Sequence, residues 1–189
     1  ACKQNDGIGY MSTHRRAITH HTIIDSTHNV KNLLNYHNTI YAATTNGVFR
    51  QTADKQAWEP VIDGLKQEVC NTLATDSKDR IWISCGNGSV TCFEPQTEKT
   101  DIYGSHNVQG MWENVQFCQP YSNSNKLLVC VRSNDIATLD PDSWQLMRTI
   151  EKFPELKHLR HIVTACQMKD GFLVGSQNGF VWFDKQSGA

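Results

Sequence analysis

The stretch "IYAATTNGVFR" (residues 40–50) recurs in altered form as "IWISCGNGSVTCF" (81–93) and "FLVGSQNGFVWF" (172–183). Each copy consists of an apolar run, a step of small residues, an Asn-Gly pair and a second apolar run. Asn-Gly readily adopts the positive φ angles of a tight hairpin turn. The three stretches therefore predict three β-hairpins that repeat along one chain.

The turn residues recur at a regular interval. Asn46, Asn87 and Asn178 each precede glycine. Asn134 occupies the equivalent place before an aspartate, which gives spacings of 41, 47 and 44 residues. A second marker, a polar residue followed by a branched aliphatic one, lies 16 to 19 residues before each turn, at Asn29-Val30, Glu68-Val69, Asn114-Val115 and His161-Ile162. Two markers that share one period indicate a structural repeat.

Each repeat is predicted to contain four short strands. In the first repeat they are Val30 to Tyr36, Thr39 to Thr44, Val48 to Thr52 and Ala57 to Ile62. β-branched and aromatic residues favour these strands, whereas Asn, Asp, Gly and Pro favour the turns between them. Four antiparallel strands in 41 to 47 residues are typical of a β-propeller blade.

Blades of this kind must cover one another, because one four-stranded sheet cannot bury both of its faces. Large apolar residues that recur at one register are therefore predicted to pack between blades. They are Trp82, Leu128 and Phe172 at equivalent positions, and Phe49, Phe93 and Trp182 at positions that agree within a residue or two. The predicted fold is all-β, with about four four-stranded antiparallel propeller blades that form part of a larger propeller.

The predicted blades span about residues 30–63, 68–104, 114–151 and 161–189, and the last of them lacks a fourth strand. Residues 1–29 contain two further strand-like runs, "IGYMST" (8–13) and "AITHHTII" (17–24). Either these strands complete the last blade and close a small ring, or the chain is a piece of a larger propeller. Most propellers have more than four blades, which favours the second interpretation.

Composition narrows the function classes. A hydrophobic fraction of 39% and a charged fraction of 20% are typical of a folded globular domain. The formal net charge is −1 and the basic residues are scattered, so no nucleic-acid partner is predicted. No apolar stretch approaches the roughly 18 residues of a membrane helix.

The seven cysteines are odd in number and none forms a Cys-x-x-Cys motif, so no zinc ribbon is predicted. Cys85, Cys92 and Cys130 lie in strand-like runs and are predicted to be small buried hydrophobic residues. Cys2 is followed by a polar run. It fits either a bacterial lipoprotein processing site or simply the edge of this stretch of chain.

The stretch "VCNTLATDSKDRIWISCGNGSVTCFE" (69–94) resembles the repeat of two-component regulator propellers. That repeat runs from Val through Asp-x-x-Gly-x-Ile/Leu-Trp-Ile-Gly-Thr and Asn-Gly to Leu-x-x-Tyr/Phe-Asp. Residues 40–50 and 172–184 match its second half, and Leu65 follows Gly64 as in the Gly-Leu pair that often precedes a blade. The chain departs from the pattern at Cys85, where the family usually has threonine, and in its third repeat, which has Asn-Asp in place of Asn-Gly.

The resemblance implies a function through the repeat type rather than through a conserved site. The family's repeats form the periplasmic sensor region of hybrid two-component systems, in which a sensor of oligosaccharides controls a kinase and a DNA-binding output. We therefore expect a periplasmic or extracytoplasmic bacterial sensing domain, without a cofactor and without enzymatic activity of its own. The parent chain would be a histidine kinase. The implied partners are an oligosaccharide or other small-molecule ligand, further blades of the parent chain and a second subunit in a homodimer.

Blade geometry predicts where a ligand would bind. In a propeller, the turns between the second and third strands share a face with the connectors between blades. Two connectors, residues 104–114 and 151–161, are long and offer an aromatic ring beside amides and cations, which suits a sugar. The candidate ligand-binding residues are His106, Asn107, Trp112, His158, Arg160 and His161. The alternative is that Trp112 merely covers the rim.

Motifs for catalysis are absent from the sequence. His158-x-x-His161 lacks a flanking carboxylate, so no metal site is predicted, and neither a Gly-x-Ser-x-Gly nor a complete dinucleotide-binding motif occurs. The alternative function is that of a secreted or lipid-anchored propeller protein, which would act as a carbohydrate-binding module, an enzyme or a protein-interaction scaffold.

Overall fold

The computed structural model describes the parts of the chain that build its sheets, namely residues 2–3, 7–11, 18–21, 28–54, 57–104, 115–120, 126–131, 135–143, 145–148, 159–169 and 171–184. These described residues form β-strands and one short 3₁₀ turn, Asp63–Leu65. The chain divides into two compact units, Ala1–Cys70 and Asn71–Ala189.

The first unit contains a three-stranded and a four-stranded sheet. The strands of the three-stranded sheet are β1 (Cys2–Lys3), β2 (Gly7–Met11) and β3 (Ile18–His21). Those of the four-stranded sheet, called the first blade here, are β4 (Val30–Tyr36), β5 (Thr39–Thr44), β6 (Gly47–Gln51) and β7 (Trp58–Pro60). The predicted strands of the first repeat are confirmed to within one or two residues at their ends.

The second unit is built on three sheets, called the second, third and last blades here. The second blade comprises β8 (Cys70–Thr75), β9 (Ile81–Cys85), β10 (Val90–Glu94) and β11 (Lys99–Tyr103). The third comprises β12 (Val115–Pro120), β13 (Leu127–Val131), β14 (Asp135–Asp140) and β15 (Gln145–Arg148). The last comprises β16 (Ile162–Met168), β17 (Gly171–Ser176) and β18 (Gly179–Asp184).

Each sheet is an antiparallel meander whose strands lie in the order in which they follow along the chain. The turns after the second strand of three blades depend on glycine. Gly47, Gly88 and Gly179 have φ angles of 102°, 85° and 138°, a region that favours glycine strongly over residues with a Cβ atom. The Asn-Gly pairs therefore form turns, as predicted.

A β-bulge recurs near the start of the first strand of three blades. The register shifts between Val30 and Asn32, between Val115 and Phe117, and between Ile162 and Thr164. A bulge bends its strand and increases the local twist. The same bend at the same place gives these blades a common geometry.

Blades of the second unit pack face to face. Trp82 and Cys92 of the second blade share one buried cluster with Cys118, Leu127 and Val129 of the third. Hydrogen bonds add to this contact, because Asn71 Nδ2 donates to the Val115 carbonyl over 2.8 Å. The other face of the third blade packs against the last blade.

This second contact is also apolar. Cys130 and Ile136 of the third blade share a cluster with Phe172 and Val174 of the last blade. All four side chains are fully buried. Stacked faces of this kind are the contacts expected between consecutive blades.

In each of the two predicted sets, the residue assigned from the last blade is wrong. Trp82 faces the blade that follows it, whereas Phe172 faces the blade that precedes it. The second set differs in the same way. Phe93 pairs with Ile81 and lies on the face opposite Trp82, away from the following blade. Trp182 pairs with Leu173 and lies on the face opposite Phe172, away from the preceding blade. Trp82, Phe93 and Phe172 are buried, whereas Trp182 remains 47% exposed. Trp82 lies five residues before its turn asparagine, whereas Phe172 lies six before Asn178, so the counterpart of Trp82 in the last blade is Leu173.

The buried cysteines follow the prediction. Cys85, Cys92 and Cys130 are thiols outside any disulfide and are buried within their strands, while the Cys166 thiol is exposed. Burial raises the pKa of the Cys92 thiol to about 12, which keeps it protonated and unreactive at neutral pH. These residues therefore act as small core side chains.

Candidate functional site

Two of the six candidate ligand-binding residues, Arg160 and His161, are described by the structure, and both are exposed. The other four lie outside the described residues: His106, Asn107, Trp112 and His158. The geometry of a site can therefore be built around the Arg160 end of the second long connector.

The segment before β16 is anchored by an apolar side chain. Leu159 is 4% exposed and belongs to the cluster between the third and last blades. The two residues that follow it point away from this cluster into solvent. His161 has a φ angle of 49°, the left-handed conformation that turns the chain into β16. The buried leucine thus fixes the place from which Arg160 and His161 project.

Hydrogen bonds attach this segment to the Asn178-Gly179 turn. The Arg160 backbone N–H donates to Asn178 Oδ1 over 2.7 Å, and the Gln177 N–H donates to the Arg160 carbonyl over 3.0 Å. The Ser176 hydroxyl lies 2.9 Å from both Asn178 Oδ1 and the Gly179 carbonyl. We call Arg160, His161, Ser176, Gln177 and Asn178 the open corner.

The first blade contains the same construction. The Thr45 N–H donates to the Asn29 carbonyl over 3.0 Å, as Gln177 does to Arg160. The Thr44 hydroxyl donates to the Gly47 carbonyl over 2.9 Å, as Ser176 does to Gly179. Asn46 Nδ2 lies 3.1 Å from His28 Nε2. We call His28, Asn29, Thr44, Thr45 and Asn46 the closed corner.

The two corners differ in what surrounds their glycines. The Gly47 N–H donates to the Glu68 carbonyl over 2.8 Å, and a Cβ atom on Gly47 would lie 2.9 Å from the Leu65 carbonyl oxygen. A Cβ atom on Gly179 would meet no described atom within 4 Å. The connector after the first blade therefore covers the closed corner, while the open corner stays accessible.

The open corner has the chemistry of a polar binding site. No described residue pairs with the guanidinium of Arg160 or with the imidazole of His161. The Gln177 amide is exposed beside them. Together they offer a permanent cation and several directional donors, which suit the hydroxyl or carboxylate groups of a small ligand.

Clefts at the other edge of the blades were not predicted from the sequence. One of about 430 Å³ is lined by residues 78–80 and 94–97 of the second blade. Another of about 320 Å³ is lined in the first blade by residues 38–40, 50–53 and 59. Both lie beside the turns after the first and third strands, so they are separated from the corners by the length of the strands. Polar turn clusters such as Asp76 to Asp79 were the available sequence signal.

Asp76 stabilises the turn that lies beside the larger cleft. Its Oδ2 atom accepts hydrogen bonds from Trp82 Nε1 over 2.8 Å and from Arg80 Nε over 2.7 Å. The Arg80 guanidinium carbon lies 5.1 Å from the centre of the Trp82 ring. Burial of Asp76 acts to raise the pKa of its carboxyl, but the hydrogen bonds from Trp82 and Arg80 outweigh it and hold that pKa below the usual value. The carboxylate is thus fully engaged in structure.

In the described ranges, no group of three or more His, Cys, Asp and Glu side chains could hold a metal ion. No helix of the described chain is long and apolar enough to cross a membrane.

Comparisons with known proteins identify the fold. No protein-family model matches the sequence, and no curated protein sequence matches it. The extracellular domain of a proposed one-component system from B. thetaiotaomicron matches with a TM-score of 0.70 and 15% identity over 98% of this chain and 26% of that one. The extracellular domain of a proposed hybrid two-component system from the same organism matches with a TM-score of 0.56 and 16% identity over 82% of this chain and 24% of that one.

A third match is an enzyme. Virginiamycin B lyase from Staphylococcus aureus gives a TM-score of 0.68 and 12% identity over 96% of this chain and 64% of that one. The chain spans about a quarter of the length of the two extracellular domains. At these identities the likeness shows the fold alone, and it confirms the sequence prediction. The chain is an all-β assembly of propeller blades, similar in structure to extracellular domains of bacterial signalling systems.

Proposed function

We propose that this chain belongs to the extracytoplasmic, ligand-sensing propeller of a bacterial two-component signalling protein, and that it binds a carbohydrate-derived ligand without transforming it. The observation that carries the proposal is the open corner, where an exposed cation, an imidazole and amides lie together on blades of this fold. The structural likeness to extracellular domains of such systems supports the placement.

The ligand would contact the corner through two kinds of interaction. Arg160 would donate hydrogen bonds to carboxylate, hydroxyl or ring oxygen atoms, and the Gln177 side chain would extend this polar surface. Trp112, from the other long connector, would supply the flat apolar surface on which a sugar ring stacks. The proposed partners are this ligand and further blades of the same protein.

Calorimetry with an oligosaccharide panel tests the proposal on the full-length protein that contains this chain. We expect one ligand to bind, and both Arg160→Ala and Trp112→Ala to weaken its affinity by about tenfold or more, as for anchor residues at other interfaces. Arg50→Ala is the matched control, because Arg50 forms its ion pair with Glu59 over 2.8 Å at the other edge of the first blade. Full affinity in both Arg160→Ala and Trp112→Ala would place binding elsewhere.

An enzyme or a protein-interaction scaffold is the rival function. Chromatography of the panel after prolonged incubation distinguishes the enzyme, because new products would appear. If no sugar binds but a protein partner is retained by wild type and lost by Arg160→Ala, the corner would belong to a scaffold.

A further inference from the structure

Two of the three Asn-Gly turns, those at Asn46 and Asn87, lie in blades that are each followed by a further described blade. Asparagine before glycine is prone to spontaneous deamidation, because glycine has no side chain to hinder attack by its nitrogen on the asparagine carboxamide. Three groups take part: the attacking nitrogen, the carbonyl oxygen and the leaving nitrogen. The hydrogen bonds to these groups differ between the two turns.

The Asn46 turn is held against this reaction. Its attacking nitrogen, the Gly47 N–H, donates to the Glu68 carbonyl over 2.8 Å. Its leaving nitrogen, Asn46 Nδ2, lies 3.1 Å from His28 Nε2, and no described residue donates to Asn46 Oδ1. A Cβ atom on Gly47 would lie 2.9 Å from the Leu65 carbonyl oxygen, so the glycine has little room to move towards the carboxamide.

The Asn87 turn leaves its carboxamide open to attack. Asn87 is exposed, and no described residue pairs with its Nδ2 atom, so ammonia can leave into solvent. Asn87 Oδ1 accepts two hydrogen bonds, from the Ser89 N–H over 3.0 Å and from the Ser89 hydroxyl over 2.7 Å. The Gly88 N–H donates to the Cys85 carbonyl over 3.2 Å, a longer contact than that of Gly47.

The two donors of Ser89 suit the transition state of deamidation. Attack on the carboxamide carbon turns its oxygen into an oxyanion, and fixed donors aimed at that oxygen stabilise the developing charge. Ser89 is 5% exposed, so water competes little with its hydroxyl. The Ser89 N–H also identifies the oxygen end of the carboxamide, because an N–H can donate to Oδ1 but not to Nδ2.

We propose that Asn87 is a site of spontaneous deamidation and that Ser89 promotes the reaction. The Gly88 nitrogen loses its proton to water and bonds to Asn87 Cγ, the bond from Cγ to Nδ2 breaks, and ammonia leaves a succinimide ring. Water then opens the ring to aspartate or isoaspartate at position 87. Isoaspartate lengthens the backbone and disrupts the 2.9 Å hydrogen bond from the Cys85 N–H to the Ser89 carbonyl. The site uses no residue of the open corner.

Peptide mapping by mass spectrometry, after incubation of the folded chain in mildly alkaline buffer, tests the proposal. Trypsin releases the two turns on separate peptides, residues 32–50 and 81–99. We expect Asn87 to deamidate about tenfold or more faster than Asn46, which corresponds to about 1.4 kcal/mol in the barrier. In urea the two rates should become similar, because both asparagines precede glycine. Equal rates in the folded chain, or a ratio that persists in urea, would overturn the proposal.

Ser89→Ala distinguishes stabilisation of the oxyanion from rigidity of the turn. It removes one donor to Asn87 Oδ1 and should slow deamidation by about fivefold or more, as the loss of one hydrogen bond implies. Ser84→Ala is the matched control, because this hydroxyl is also buried in the second blade but bonds to Thr72, so the Asn87 rate should not change. If Ser89 only held the turn rigid, its replacement would speed the reaction. Unchanged or faster deamidation in Ser89→Ala would therefore overturn the role of Ser89.

Discussion

The closed corner of the first blade and the open corner of the last blade share one backbone plan and differ in what covers it. Both place an asparagine before a glycine of positive φ, and both tie the turn to the segment before the first strand. Around Gly47 the connector supplies the Leu65 carbonyl oxygen, which lies against the glycine, and the Glu68 carbonyl, which accepts the Gly47 N–H. Around Gly179 the described chain supplies neither.

This difference separates a covered from an uncovered use of the same motif. In the closed corner, His28 is held by Asn46 and packs edge-on against Phe49 at a ring distance of 5.5 Å. In the open corner, Arg160 contacts the turn through its backbone, and no described residue pairs with its guanidinium. A repeat can therefore keep its turn chemistry while one copy is covered by its connector and another is exposed.

Replacing each glycine by alanine should give the largest contrast. Gly47→Ala combines a strained positive φ with a Cβ atom 2.9 Å from the Leu65 carbonyl oxygen, and we expect it to lower the free energy of unfolding by about 3 kcal/mol. Gly179→Ala has the strain without the clash and should cost about 1 kcal/mol. Urea unfolding of both variants measures the difference. Equal costs would show that the connector does not cover the closed corner.

The turn at Asp76, unlike the two corners, is stabilised by an ionised side chain. Its carboxylate accepts hydrogen bonds from Trp82 and Arg80. A hydrogen bond to an ionised group contributes about 1.5 to 3 kcal/mol to the free energy of unfolding. We expect Asp76→Asn to lower the free energy of unfolding by about 2 kcal/mol at neutral pH.

The pH dependence of that effect has a defined sign. Because the folded-state pKa of Asp76 is lowered, its stabilisation is present above the unfolded pKa of about 3.9 and is lost as pH falls through the folded pKa. The difference between wild type and Asp76→Asn should therefore shrink below about pH 4. Unfolding titrations across this range measure it. The cost of Gly47→Ala, which involves no ionisable group, serves as the pH-independent control.

The hydroxyl groups of the two corners should give the smallest contrast. Thr44 is fully buried, and its hydroxyl both donates to the Gly47 carbonyl and accepts from the Asn46 N–H over 3.0 Å. Thr44→Val should cost about 1 to 2 kcal/mol, because buried partners lose their hydrogen bonds. Ser176→Ala, where water can replace the hydroxyl, should cost about 0.5 kcal/mol. Thermal unfolding would contradict the comparison if Ser176→Ala were the more destabilising change.

The sequence was sufficient to predict the hairpins but not which face each strand buries. Asn-Gly between two apolar runs strongly favours a hairpin turn, so the turns at Gly47, Gly88 and Gly179 could be predicted from the sequence. The face of Phe172 was misjudged because its size matched it to Trp82, although Phe172 lies six residues before its turn asparagine and Trp82 five. Side chains alternate along a strand, so a shift of one residue moves every side chain to the other face.

For the candidate site, the sequence predicted which segments come together but not the hydrogen bonds that hold them. Propeller geometry brings a connector and a turn to one edge, and it correctly placed Arg160 beside Asn178. The tie between the Arg160 backbone and the Asn178 side chain depends on the left-handed turn at His161, for which the sequence carries no glycine signal. The bulges at the start of the first strands are similarly invisible, because they are set by how each strand bends onto its neighbour.

The meander order of the sheets has a consequence for synthesis of the protein. Every strand of the first blade finds its partners within the 31 residues from Val30 to Pro60. Short loops between partners keep the entropy of closure low and favour rapid pairing. A ribosome that has released Pro60 has therefore already released everything the first blade needs for its hydrogen bonds, while the strands of the second unit are still to emerge. Within the second unit, the third blade can then form on the apolar face of the second blade, and the last blade on that of the third, as each emerges.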